Sequence, residues 1–229
     1  AKMKRLAARY KAVSSTVEAI TKTCQVIILA VKPQDMDPVL DELKEYVRPK
    51  HLIISIAAGI TCGYFEKKLG GRARVVRAMP NMPAQIGAGM TAVAKGRFAK
   101  GADLKKASVL LNSVGNTVEV EERLLDAVTA VSGSGPAYVF LFAECMLKAA
   151  RSLGLKDSIA RELVYETLLG SARQLKALDD DPAELRARVT SKGGTTQAAL
   201  EVFAKSKIDQ IFLKALTAAQ KRSRALAKK

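Results

Sequence analysis

Gln25-Val26-Ile27-Ile28-Leu29-Ala30-Val31 is a continuous apolar run behind one polar residue, with no alternation of polar and apolar positions. A strand with one face in water alternates; a strand buried on both faces of a parallel sheet does not. The residues that follow fit that reading. Asp37-Pro38 supplies an N-cap and a first-turn proline, which predicts a helix to about Val47. His51-Leu52-Ile53-Ile54-Ser55-Ile56-Ala57 repeats the strand pattern and ends at Gly59. Thr61 can cap a further helix through Lys68, which Gly70-Gly71 terminates. Arg74-Val75-Val76-Arg77-Ala78 reads as a third strand, with weaker ones at Gly89 to Val93 and Thr117 to Val120. Strands alternating with helices at this spacing predict right-handed βαβ units in a doubly wound sheet.

From Glu122 onward the strand signal disappears. Helices are expected from Pro136 to Leu153, over residues 158 to 178 behind Asp157, from Pro182 to near Val189, from Thr195 to Ala204 and from Ile208 to Leu226. The chain therefore reads as an α/β part, residues 1–121, followed by an all-α part, residues 122–229. The helix from Pro136 is apolar nearly all round, which predicts burial on every side. A partner chain would supply that burial, and so would a central position in one monomeric bundle.

The chain has 229 residues, 48% of them hydrophobic and 26% charged, the composition of a folded soluble domain and not of a disordered one. Its three cysteines, Cys24, Cys62 and Cys145, are isolated, so a reducing compartment such as the cytoplasm is expected over a disulfide scaffold. His51 is the one histidine, which excludes a His-rich zinc site and leaves no expected metal. No apolar run reaches the roughly 18 residues that span a bilayer, so no membrane partner is expected. The formal charge of +16 points to an anionic partner. Nucleic acid is disfavoured as that partner, because the basic residues carry no recognisable reading motif. The opening residues Ala1 to Leu6 read like the middle of a helix, so the protein's own start is expected upstream.

Five segments could carry chemistry. Ala30-Val31-Lys32-Pro33-Gln34 lies at the carboxyl end of the first strand, where open α/β sheets bind ligands, although a bare turn would look similar. Ile56-Ala57-Ala58 ends the next strand in small residues, which either admit a flat ring or simply pack. Ala78-Met79-Pro80-Asn81-Met82-Pro83 is a proline-restricted loop in which Asn81 is a ligand or a cap. Ser132-Gly133-Ser134-Gly135-Pro136 could cradle an anion or turn a tight interdomain corner. Thr190-Ser191-Lys192-Gly193-Gly194-Thr195-Thr196 is the most informative, since it sets two glycines and several hydroxyls at a helix start. Free N–H groups there attract a carboxylate or phosphate. The GxxxxGK[ST] spacing of a phosphate loop is absent.

Taken in order, AVKPQ (Ala30 to Gln34), MPNMP (Met79 to Pro83), SGSGPAY (Ser132 to Tyr138) and TSKGGTT (Thr190 to Thr196) resemble pyrroline-5-carboxylate reductases along essentially the whole chain. The resemblance implies a Rossmann-type domain, N-terminally incomplete here, followed by an all-α dimerisation domain. It implies reduction of 1-pyrroline-5-carboxylate to L-proline with NADPH or NADH, in a homodimer often assembled into decamers. By position, Ala30, Val31, Lys32 and Pro33 would line the nicotinamide ribose, with Ile56, Ala57 and Ala58 beside it and Asn81 close by. Ser191, Gly193 and Gly194 would shape the carboxylate loop, Thr195 and Thr196 would contact substrate, and Glu122 would bound the same pocket. Thr196 is the expected catalytic residue. The family's opening strand, GxGxxG turn, first helix and second strand are absent from these 229 residues. Lys192 replaces a usual proline, Arg188 and Val17 stand where asparagine is common, and Met82 where threonine is. Two other readings share the domain plan: a 3-hydroxyacid-dehydrogenase type of reductase, and a degenerate homologue serving only as a dimerisation module.

Overall fold

The computed structural model describes residues 2–71 and 73–227. Five strands form one sheet in the order β1 (Val26–Leu29), β2 (Leu52–Ser55), β3 (Arg74–Met79), β4 (Gly89–Lys95) and β5 (Gly115–Glu119). The first three are parallel, β4 runs antiparallel to β3, and β5 is parallel to β4. Connection length explains the reversal. A parallel return needs a crossover of a dozen or more residues. The links between β1, β2 and β3, and between β4 and β5, provide one; the β3–β4 loop holds only a 3-10 turn, Met82–Ile86.

Side chains alternate between the two faces as the pleat requires. Ile53 and Val75 join Leu40, Leu43 and Phe65 on one face, under α2 (Val17–Thr23), α3 (Met36–Tyr46) and α4 (Cys62–Lys68). Leu52, Ile54, Val76 and Val93 point the other way, against Leu104 and Ala107 of α5 (Gly101–Leu111). All four residues of β2 are buried, as the unbroken apolar run predicts. At β1 the expectation fails for one residue. Ile28 stays 50% exposed, because helices among the described residues cover that face over β1 only in part.

One of the two helix starts differs from the expected one. α3 begins at Met36, so Asp37 and Pro38 lie inside its first turn. Thr61 does cap α4, its hydroxyl oxygen accepting from the Tyr64 N–H at 3.2 Å.

His51 is buried and has a structural task. Its Nδ1 accepts from the Arg48 N–H at 2.8 Å, which leaves the ring proton on Nε2 to donate to the Thr21 carbonyl at 2.9 Å. The neutral ring therefore ties α2 to the start of β2. Replacement by alanine strands two buried polar groups and opens a cavity, a cost of about 3 kcal/mol. The His51→Ala variant is expected to lose roughly 6–12 °C of thermal midpoint by circular dichroism. An unchanged midpoint would contradict this role.

The chain divides into two compact units: residues up to Ser134 together with those from Ala219 onward, and Gly135–Ala218. The composition shifts earlier, at residue 121. The intervening segment, with α6 (Leu125–Val128) and a π turn (Thr129–Gly133), packs on the sheet through Leu125, which is buried with Ala92 and Ala94 of β4. The end of the last helix joins this unit, where the buried Ser223 hydroxyl donates to Asp126 Oδ1 at 2.6 Å. The first helix, α1 (Lys2–Tyr10), precedes α2.

The second unit is helical: α7 (Gly135–Ser152), α8 (Asp157–Leu178), α9 (Pro182–Arg188), α10 (Thr195–Lys205) and most of α11 (Ile208–Ala227). Asp157 is the first helical residue and not the cap of α8; the cap position is Lys156, and Asp157 instead binds Arg151 and Arg161. Leu147 of α7 is buried with Ala160 and Val164 of α8. The single chain does not bury the rest of α7, so of the two expected sources of cover the monomeric bundle is not the one present. Val139, Phe140, Leu141 and Phe142 are exposed within the single chain. Within Glu122–Ser152, which runs through a 3-10 turn, α6, the π turn and α7, a window of about 18 residues is apolar enough, by length and composition alone, to cross a membrane, a longer stretch than the uninterrupted apolar runs suggested.

Candidate active site

In the first unit the pairing of parallel strands sets two segments side by side. Leu29 is opposite Ser55, and the Ile56 N–H donates to the Leu29 carbonyl at 3.1 Å. Ala30–Pro33 and Ile56–Ala58 therefore leave the same carboxyl edge of the sheet together. Ala57 is buried, Val31, Ile56 and Ala58 are half-buried, and Ala30, Lys32 and Pro33 are exposed. The two exposed-side alanines leave a shallow ledge of backbone, and Lys32 adds a cation beside it. Small side chains at the carboxyl edge of a parallel sheet leave room for a flat ring, and a lysine in the same segment supplies a charge that an anion could meet. The structure thus gathers seven of the expected cofactor residues.

Asn81, the eighth, has its amide already engaged. Its Oδ1 accepts from the Met90 N–H at 2.9 Å and its Nδ2 donates to Ser132 Oγ at 3.4 Å. It braces the proline-restricted loop against the start of β4 and the π turn; although it precedes the 3-10 turn Met82–Ile86, its side chain does not cap that turn.

Glu122 sits in a 3-10 turn ahead of α6. Its Oε1 accepts from Arg77 Nη1 at 2.9 Å and from the Cys62 N–H, the first residue of α4, at 2.6 Å. Arg77 is 8% exposed and comes from the middle of β3. The sequence reading passed over it. The available signal was a lone arginine inside the apolar strand Val75-Val76-Arg77-Ala78, which must find a carboxylate if it is buried. Cys62 lies under the same carboxylate; burial first and the Glu122 charge second push its thiol up from the ordinary range.

In the second unit, Ser191–Thr196 forms the turn into α10. Gly193 has φ +71°, and the Gly194 N–H donates to the Ser191 carbonyl at 3.0 Å. A Cβ on Gly194 would stand 2.4 Å from Ser191 Oγ and 3.1 Å from the Ser191 carbonyl oxygen, while Gly193 has open space around it and is constrained by its positive φ alone. Gly194 occupies the N-cap position and no side chain caps α10. The leading N–H groups of the helix, from Thr195 and Thr196, are thereby presented at a positive dipole end. The Gly193 N–H is held by Gln197 Oε1 at 2.8 Å, which stiffens the turn.

Residues 122–226 match the family model described as pyrroline-5-carboxylate reductase dimerisation, and residues 1–59 match that of NADP oxidoreductase, coenzyme F420-dependent. The pyrroline-5-carboxylate reductase of Synechocystis is 42% identical over 217 residues, 95% of this chain and 80% of that protein. The chain belongs to the pyrroline-5-carboxylate reductase family.

The Pseudomonas aeruginosa reductase is likewise 42% identical, over 94% of this chain and 79% of its own. A solved pyrroline-5-carboxylate reductase from Coxiella burnetii superposes with a TM-score of 0.93 at 35% identity, covering 100% of this chain and 86% of that one. The Plasmodium falciparum enzyme, solved with NADP bound, gives 0.86 at 32% identity over 93% and 81%. The chain is accordingly an oxidoreductase of this family, with a Rossmann-like domain followed by a helical dimerisation domain. α7, with its exposed apolar face, lies within the matched dimerisation region. Arg188, one of the departures from the family pattern, binds Asp180 at 2.7 Å and lies 3.9 Å from Glu184, so its charge is answered by its own neighbourhood.

Proposed function

We propose that this pyrroline-5-carboxylate reductase homologue reduces 1-pyrroline-5-carboxylate to L-proline with NADPH or NADH, the final step of proline biosynthesis. The observation that carries the reading is the glycine-shaped, uncapped N-terminus of α10 in a chain whose relatives bear that name. A small carboxylate is the ligand such an end recognises.

Bound NAD(P)H supplies the hydride that reduces the C=N bond. Ala30, Val31, Lys32 and Pro33 would hold the ribose side of that cofactor, with Ile56, Ala57 and Ala58 beside it. Asn81 serves the same site indirectly, as the brace of the loop beside β4. Ser191, Gly193 and Gly194 shape the loop so that the leading amides of α10, from Thr195 and Thr196, would bind the substrate carboxylate. The Thr196 hydroxyl would bond the ring nitrogen and relay a proton to it from solvent, taking one up as it gives one, so that the nitrogen is protonated when C5 gains hydride. Positioning and electrostatics supply most of the acceleration, so neither a metal nor a histidine is needed.

Residues 1–121 and 122–229 are the functional divisions on this reading, supported by the dimerisation match that begins at residue 122. The second division pairs with its twin through the exposed face of α7, and the dimers assemble further into decamers. The free thiols of Cys24, Cys62 and Cys145 favour the cytoplasm.

The test offers the protein NADPH or NADH with racemic pyrroline-5-carboxylate, and separately NADP with 3-hydroxy acids. Cofactor oxidation matched mole for mole by L-proline is expected, with no turnover of the hydroxy acids. Hydroxy-acid oxidation alone would replace the reading with the 3-hydroxyacid dehydrogenase type. A dimer inert in both assays would leave a dimerisation module.

A further inference from the structure

Glu122 does something the substrate pocket does not require. Its carboxylate answers the first N–H of α4 and the guanidinium of Arg77 with one oxygen. The helix it holds begins directly after residues 56–61, the segment that carries Ile56, Ala57 and Ala58 off the edge of the sheet. Arg77 in turn is paired across the sheet with Ser55, the last residue of β2, and the buried Ser55 Oγ accepts from the Ala57 N–H at 3.2 Å. Both ends of the 56–61 segment are thus tied to one polar line: Ser55 at its start, and the Glu122–Arg77 pair at its finish. Between them the segment turns at Gly59, with φ +80°. A carboxylate at a helix N-terminus satisfies an orphan donor and opposes the dipole. Burial of Arg77 removes water from its competition for that carboxylate.

We propose that Glu122, held by Arg77, is a positioning residue for the cofactor-side segment 56–61, acting through the N-terminus of α4 and not as a ligand of the substrate. The proposal rests on the reading of Ile56–Ala58 as the cofactor ledge. The pair fixes where that ledge stands relative to Ala30–Pro33, and so the seat of the dinucleotide ring. Its loss frees the first turn of α4, exposes Cys62 and weakens cofactor binding before it touches recognition of the imino acid.

The test compares the protein with its Glu122→Ala and Glu122→Gln variants in three measurements. Iodoacetamide labelling of Cys62, located by peptide mass, reads the opening of α4 without any turnover. Titration of NADPH fluorescence reads cofactor affinity. Steady-state kinetics separate KM for NADPH from KM for pyrroline-5-carboxylate. The Glu122→Ala variant is expected to label at Cys62 at least tenfold faster, to bind NADPH about tenfold more weakly, and to keep KM for the imino acid within about threefold of the parent. Glu122→Gln, which retains the acceptor oxygen, is expected to restore most of the protection; it carries the comparison alone if Glu122→Ala does not fold. A rise confined to KM for the imino acid, with labelling and NADPH affinity unchanged, would overturn the proposal and make Glu122 a substrate ligand. Failure of the parent protein to reduce the imino acid would count against the proposed function alone, because labelling and NADPH titration still read the tie.

Discussion

The Gly193→Val variant is expected to bind pyrroline-5-carboxylate about 100-fold more weakly, seen as a rise in KM. Gly193 has φ +71°, a backbone region that costs an L residue roughly 1–2 kcal/mol and is worst for a β-branched one. The turn relieves that strain by moving, and its movement carries the leading amides of α10 away from the carboxylate. Loss of a charge-assisted hydrogen bond or two, about 2.7 kcal/mol, is the stated factor. Gly154, with φ +91° at the end of α7, is the control for strain alone. Gly154→Val should lower the thermal midpoint while leaving KM unmoved. Equal KM values for Gly193→Val and its parent would remove the carboxylate from this loop.

A second large effect is expected at Thr196. The Thr196→Ala variant should reduce bound substrate about 100-fold more slowly in a single turnover, with little change in KM, because the hydroxyl matters as nitrogen takes up its proton. Thr196→Ser keeps the hydroxyl and should recover most of the rate. An unchanged rate in Thr196→Ala would sink its assignment as proton donor.

Local patterns made much of the fold legible. β2 lies between two helical layers, so its unbroken apolar run could be read directly. Thr61 announced its helix because a capping side chain acts within three residues. Lys156 displaced Asp157 because an acidic residue favours the first turn as well as the cap, and the Arg151 and Arg161 pairs settled which. The antiparallel β4 was legible only in the brevity of the loop before it.

The candidate site divides along the same line. The Ser191–Thr196 turn was readable, since its glycines and hydroxyls are consecutive and the helix behind it is periodic. Ala30–Pro33 and Ile56–Ala58 were readable as the ends of two recognisable parallel strands. The Arg77–Glu122 tie spans 45 residues and the His51–Thr21 bond spans 30, and neither leaves a local period. Such pairs become visible only when the sheet closes. Exposure of Phe140 and Leu141 was foreshadowed differently: one chain of this size has too little helix to bury every side of α7.

The most direct test follows the hydride. NADPH carrying deuterium at C4 of the nicotinamide is mixed with the protein and pyrroline-5-carboxylate, and the proline is examined by mass spectrometry and NMR. Both C4 faces are labelled, so either stereochemistry reports. The account predicts L-proline with one deuterium, at C5, formed in step with cofactor oxidation. Proline without deuterium at C5, or cofactor left unoxidised while both ligands are bound, would contradict it.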